Sequence, residues 1–318
     1  MIKDKFGRII DYIRISVTDR CNLRCIYCMP EDGIKFKDMK EILTYEDIVL
    51  FLKRASSLGI KKVRLTGGEP LVRRDIEKLI KMAKNIDGIK EVCLTTNGTL
   101  LKEKAYSLYN AGIDRITVSL DSLDERKYRL ITRLGNVKDV LEGLREIKDI
   151  GFKHTKINTV VMKGINDDEI IKLLEFALYL DMEIRFIEYM PTKYDRGRKY
   201  FISNEEIKKK IKEKYHLEIS SYHSNGPAEY FKIRNNFVGF ISPLSKNFCK
   251  YCNRIRLSSD GFIIPCLGHD IRIKVRDALR KRNIEEIDSI IEYAVSMKPK
   301  QHAMLRESIS ESMSYMGG

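Results

Sequence analysis

Six of the seven cysteines fall into two triplets near opposite ends of the chain. Cys21, Cys25 and Cys28 form C-x3-C-x2-C; Cys249, Cys252 and Cys266 form C-x2-C-x13-C. Cys93 is left over in the apolar run Glu91-Val92-Cys93-Leu94-Thr95, where a buried structural thiol is expected. A structural zinc site or a fully ligated iron–sulfur cluster takes four protein ligands. Three thiolates per group therefore imply a metal centre with one position open to something else. Disulfides would need an oxidising compartment. Met1-Ile2-Lys3-Asp4-Lys5 instead runs straight into polar sequence with no leader peptide, so a reducing, cytoplasmic setting is expected. Zinc remains a rival, because Cys249-x2-Cys252 is a zinc half-site and His269 is the nearest fourth ligand.

Positioning these groups takes a large core, which 318 residues can bury. From the N-terminus to about Pro191, β-branched runs alternate with amphipathic stretches. Strands are predicted at Tyr12–Val17, Lys62–Thr66, Glu91–Thr95, Arg115–Leu120, His154–Val161 and Glu183–Tyr189. Helices are predicted at Tyr45–Leu58, Asp75–Lys84, Leu101–Asn110, Val137–Ile150 and Asp167–Leu180, with Thr44/Asp47 and Asn166/Glu169 as start signals. Six β/α units in series imply an α/β fold: an incomplete (β/α)6 TIM-like barrel, with a flat doubly wound sheet as the second choice. Residues 1–200 would form this partial barrel and 201–318 a C-terminal extension. In the extension, helices are expected at Asn204–Lys214, Ile273–Lys281 and Ile284–Ser296, with short strands and turns from His216 to Pro265.

The strands carry a second message. Parallel strands covered on both faces read as continuous apolar runs. Here one face is polar at period two: Arg14 and Ser16, then Lys62, Arg64 and Thr66, then Thr95 and Asn97, then Thr117, Ser119 and Asp121, then His154, Lys156 and Asn158. A cation-rich lining implies a hydrated cavity holding a polar anion. The net charge of +14 agrees with an anionic partner. Inward alternation argues against nucleic acid, which would call for an exposed stripe of cations and aromatics. No apolar run reaches the length of a membrane span, so no membrane partner is expected.

The first triplet, with Tyr27 just before its third cysteine, resembles the cluster motif of the radical S-adenosylmethionine (SAM) superfamily. Thr66-Gly67-Gly68-Glu69-Pro70, at the end of the second strand, resembles that superfamily's glycine-rich motif. The resemblance implies a [4Fe-4S] cluster on Cys21, Cys25 and Cys28 whose open iron binds SAM, and a 5′-deoxyadenosyl radical as its product. It assigns SAM contacts to Tyr27, Gly68, Ser119 and Met190.

The second triplet lies in Cys249-Lys250-Tyr251-Cys252-Asn253-Arg254-Ile255-Arg256-Leu257, followed by Cys266. With Thr95-Thr96-Asn97-Gly98, Arg185-Phe186-Ile187-Glu188-Tyr189-Met190-Pro191 and a terminal Gly317-Gly318, it resembles the GTP 3′,8-cyclase family of molybdenum cofactor biosynthesis. The resemblance spans about Tyr12 to Gly318. It implies a second [4Fe-4S] cluster on Cys249, Cys252 and Cys266 that takes the guanine end of GTP, with Arg14, Arg64, Thr95, Lys156, Arg254, Ile255 and Arg256 binding GTP. The radical would take the C3′ hydrogen, and the ribose carbon would attack C8. The product, a 3′,8-cyclo-7,8-dihydroguanosine triphosphate, would pass to a cyclic pyranopterin synthase. An electron donor such as ferredoxin or flavodoxin is implied, and a monomer or homodimer. Lys62 and Arg185 could add to the cationic field or serve structure. The Gly-Gly tail would reach toward the site, although Ser312 and Met316 depart from the family's Arg and Ile. No residue stands out as a general acid.

Overall fold

The computed structural model describes residues 1–190, 198–222 and 226–303. Its elements are β1 (Tyr12–Ser16), α1 (Tyr45–Ser57), β2 (Lys62–Thr66), α2 (Ile76–Lys84), β3 (Glu91–Thr96), α3 (Leu101–Asn110), β4 (Arg115–Ser119), α4 (Glu125–Thr132), α5 (Val137–Asp149), β5 (Lys156–Val161), α6 (Ile170–Tyr179) and β6 (Glu183–Glu188). Then come α7 (Asn204–Lys212), β7 (Glu218–Ile219), β8 (Glu229–Ile233), β9 (Asn236–Ile241), β10 (Arg254–Leu257), β11 (Phe262–Ile264), β12 (Ile273–Lys274), α8 (Arg276–Lys281) and α9 (Ile284–Ser296).

The six β/α strands lie side by side in chain order, and each pair is parallel. A doubly wound sheet reverses its winding at a switch point; this one does not, and it stays open, as a partial barrel does. The period-two pattern decides which face is covered. Ile13, Ile15, Val63, Leu65, Val92, Leu94, Ile116 and Val118 are fully buried against Phe51, Leu52, Leu79, Leu108 and Leu144 of the helices. The polar residues between them are left to the opposite face.

The region after residue 200 is woven into the same sheet. β10 adds parallel to β1 at one edge, and β9 adds parallel to β6 at the other. Eight parallel strands thus run β10-β1-β2-β3-β4-β5-β6-β9, flanked by the antiparallel β11-β12 and β8-β7 pairs. The short pairing strands follow from turns at Arg234 and Gly261, both at positive φ.

Thr44 and Asp47 form the expected capping box, each side chain bonding the other's backbone N–H at 3.1 Å. Asn166 and Glu169 form no capping box: α6 begins directly after Glu169, which stands at its N-cap without a side-chain cap bond. Asn166 instead ties Met162 N, Asp121 O and Val160 O, while Glu169 accepts from Ser122 Oγ, Leu123 N and Asp124 N. Both are spent on tertiary contacts, so the apparent signal is a coincidence of residue type. α4 was not expected, because its eight residues carry few apolar positions. His154 is exposed at φ +67° and lies outside β5. Pro191 and the tail with Ser312, Met316, Gly317 and Gly318 lie outside the described residues.

Candidate active site

The polar strand faces enclose a cavity of about 530 Å³, and all six triplet cysteines line it. The first triplet sits in the loop after β1, at the C-terminal end of the sheet, where β/α barrels carry their chemistry. Ile26 N and Arg24 N bond Ile131 O and Thr132 O, so this loop is zipped onto the end of α4. Its other anchor is the turn after β2, where Gly68 N donates to Thr18 O at 2.7 Å and Glu69 N to Arg20 O at 2.8 Å. A Cβ on Gly68 would stand 2.1 Å from Arg20 O, and one on Gly67 2.6 Å from Thr18 O. Close approach of two backbones is thus enough to require both glycines. The cysteine loop and the Gly-Gly turn are one construction.

Two buried carboxylates stand at this end. Burial raises the Glu69 carboxyl to about 7, although Thr96 Oγ1, Asn97 N and Leu71 N all donate to it. Burial likewise raises Asp121 to about 6; it accepts from Tyr27 OH at 2.6 Å and Val160 N at 2.8 Å. Burial and then the neighbouring Cys28, Asp121 and Cys21 push the Cys25 thiol up, and burial takes Cys21 to about 11. Arg24 offsets only part of this at Cys21, so three half-buried thiols on one loop, with Cys28 and Cys21 raising Cys25, fit ligands to positively charged iron.

The second triplet faces the opposite charge. Burial alone would raise the Cys252 thiol, but Arg254 and Lys298 overcome it and bring it to about 7. Lys298 lies on the segment after α9, 3% exposed, donating to Arg254 O at 2.6 Å and Pro265 O at 2.8 Å. Arg8 donates to Cys249 O at 2.7 Å and to Pro299 O at 2.6 Å.

Arginines bridge toward the barrel. Arg256, Arg14 and Arg64 stand in lateral register on β10, β1 and β2. Arg64 is tied to Tyr12 OH, Leu94 O, Thr95 Oγ1 and Thr117 Oγ1 at 2.8–3.2 Å. Arg14 is not: its Nε is buried with no hydrogen-bond partner among the described residues. Burial, then Arg256, holds its guanidinium well below the ordinary value. Burial and Arg254 bring Arg256 down to about 10. Arg14 and Arg256, unlike the well-bonded Arg64, are thus placed to gain from an anion set between them.

The cavity gathers Tyr27, Gly68, Ser119 and Met190, as well as Arg14, Arg64, Thr95, Lys156, Arg254 and Arg256. Ile255 differs: its side chain is fully buried in the apolar core, so only its main chain could meet a ligand. Lys156 lines the cavity but is paired with Glu183. Lys62 and Arg115 share Glu91, while Arg185 donates to Thr117 Oγ1.

All seven cysteines are free thiols. His269 Nε2 donates to Gln301 O at 2.9 Å, on the exposed side and off the cavity wall, so it does not complete a zinc site. Sequence reasoning missed Tyr12, Lys298 and His302, which also line the cavity. Tyr12 belongs to the same polar alternation as Arg14 and was readable; a single Lys in a Lys-rich region carries no signal.

Comparison with known proteins agrees with this geometry. Residues 15–177 match the Radical SAM superfamily and residues 182–304 match Molybdenum Cofactor Synthesis C. The GTP 3′,8-cyclase of Thermodesulfovibrio yellowstonii is 48% identical over 94% of this chain and 95% of its own; that of Petrotoga mobilis is 44% identical over 99% of each. Among solved structures, Streptococcus suis SuiB bound to S-adenosylmethionine shares the fold. Its TM-score is 0.64 at 18% identity, over 87% of this chain and 65% of that chain. The chain therefore belongs to the radical SAM superfamily and, within it, to the GTP 3′,8-cyclase family.

Proposed function

We infer that this chain is a lyase that converts GTP to (8S)-3′,8-cyclo-7,8-dihydroguanosine 5′-triphosphate in molybdenum cofactor biosynthesis, using SAM and two [4Fe-4S] clusters. The observation that carries the reading is the charge polarity of one cavity. Buried Glu69 and Asp121 stand at one cysteine triplet, Arg254 and Lys298 at the other, and an arginine row lies beside the second.

When bound, the clusters and SAM supply the electron, the hydrogen-abstracting radical and an open iron for the base. The chain's own residues do the positioning. Cys21, Cys25 and Cys28 hold one cluster; Cys249, Cys252 and Cys266 hold the other. Tyr27, Gly68, Ser119 and Met190 contact SAM, whose positive charges suit Glu69 and Asp121. Arg14, Arg64, Arg254 and Arg256 take the polyanion, because guanidinium forks match phosphate oxygens. Thr95 and Lys156 border the same space, with Ile255 contributing its main chain. Residues 1–200 form the SAM-binding partial barrel and 201–318 the extension that carries the second cluster. A ferredoxin or flavodoxin donates the electrons, and a pyranopterin synthase consumes the product, in the cytoplasm.

The test is anaerobic turnover with reductant, SAM and GTP, read by mass spectrometry. Both 5′-deoxyadenosine and a cyclised guanosine triphosphate are expected, with C252S losing the cyclised product while the first cluster assembles. SAM cleavage that leaves GTP unchanged in the wild-type chain would refute the substrate.

A further inference from the structure

We propose that Lys298 is a positioning residue of the second iron–sulfur cluster, lacing the arms of its cysteine triplet together and holding a fixed positive charge against its thiolates. The inference rests on the reading that Cys249, Cys252 and Cys266 hold that cluster.

An ammonium has three N–H donors and no acceptor. Two of the three on Lys298 are spent on Arg254 O at 2.6 Å and Pro265 O at 2.8 Å. Arg254 is two residues past Cys252, and Pro265 directly precedes Cys266, so one side chain spans the long gap of C-x2-C-x13-C. The third donor has no carbonyl or carboxylate partner among the described residues, and both carbonyls that hold the ammonium lie within two residues of a ligand cysteine. The first arm is tied from the same segment: Arg8 joins Cys249 O to Pro299 O and Lys300 O. Ala303 N bonds Gly268 O, two residues beyond Cys266. Residues 298–303 thus form a strap across all three ligand positions.

The charge is what a purely mechanical strap would not need. Lys298 is 3% exposed, and among the described residues no carboxylate stands within ion-pair distance of it. A buried ammonium satisfied by neutral carbonyls alone is costly. The missing anion is the thiolate set with its cluster. Hydrogen bonds to cluster sulfurs and nearby positive charge favour the more negative, reduced cluster and so raise its potential. The C-terminal segment would thereby set the electron affinity of the substrate-side cluster, a role that falls to a lysine outside both cysteine motifs.

The experiment compares wild type, K298M and K298R in full-length, anaerobically reconstituted protein. Iron is counted, and the second cluster, identified by the change of its EPR signal on adding GTP, is titrated for its midpoint potential. In K298M the potential falls; or, if the cluster is lost, iron drops from about eight to about four per chain while the SAM-induced change at the first cluster persists. K298R, which keeps the charge, recovers most of either loss. If K298M does not fold, K298Q removes the charge with less disturbance and is read the same way. Full iron with an unshifted potential in the neutral variants would overturn the proposal, as would K298R failing as badly as K298M. A wild-type chain taking up about four irons would instead sink the reading of the second triplet.

Discussion

Arg14 and Glu69 show what a residue gives up to serve the site. Arg14 sits between two arginines with a buried, unbonded Nε, a placement that costs folding energy and is repaid only by a bound anion. R14M is expected to weaken GTP binding on the order of tenfold to a hundredfold, the worth of a charged hydrogen bond. The same change should leave the ligand-free protein as stable or about 1 kcal/mol more stable. Isothermal titration with GTP and urea unfolding separate the two effects; loss of stability without loss of affinity would make Arg14 structural. Glu69 titrates in the folded chain near 7, above the ordinary carboxyl range. Between the ordinary value and about 7, the folded state keeps a proton that the unfolded chain releases. Stability therefore declines as pH rises through that window and levels off above it, by up to about 3 kcal/mol. E69Q removes this component, so its urea midpoint should change less than that of wild type between about pH 5 and pH 8. An equal slope in both proteins would contradict the burial that shifts Glu69.

At the scale of elements, the loop after β1 and the turn after β2 act as one part. Gly68 has no room for a Cβ against Arg20 O, so G68A must push the cysteine loop away from its anchor. Iron is expected to fall from about eight to about four per chain, with the second cluster retained; full iron in G68A would show that the loop tolerates the shift. The six strands and most helices were legible because each apolar face repeats at a clear period and is buried where the pattern puts it, as with Val63 and Leu65 on β2. Cys21 to Cys28 and the Gly-Gly turn were legible for a different reason: their residue types have few other uses at that spacing. What escaped depended on distant partners. Nothing local in Arg254–Leu257 tells that it pairs with β1, nor in Asn236–Ile241 that it pairs with β6. Asn166 and Glu169 mimicked a capping box while bonding residues some 40 positions away.

For the whole molecule, the sheet explains how two triplets more than two hundred residues apart come to share a cavity. β10 lies beside β1, so the chain's last strands bring the second triplet to the mouth of the barrel begun by the first. Separate metal sites would not need this juxtaposition; a single reaction chamber does. The direct measurement is transfer of the hydrogen itself. GTP deuterated at C3′ is incubated anaerobically with SAM and reductant, and the 5′-deoxyadenosine is analysed by mass spectrometry. One chamber predicts that the deuterium appears in 5′-deoxyadenosine, in step with cyclised product. Unlabelled 5′-deoxyadenosine beside intact deuterated GTP would mean that the two ends of the cavity do not work on one substrate.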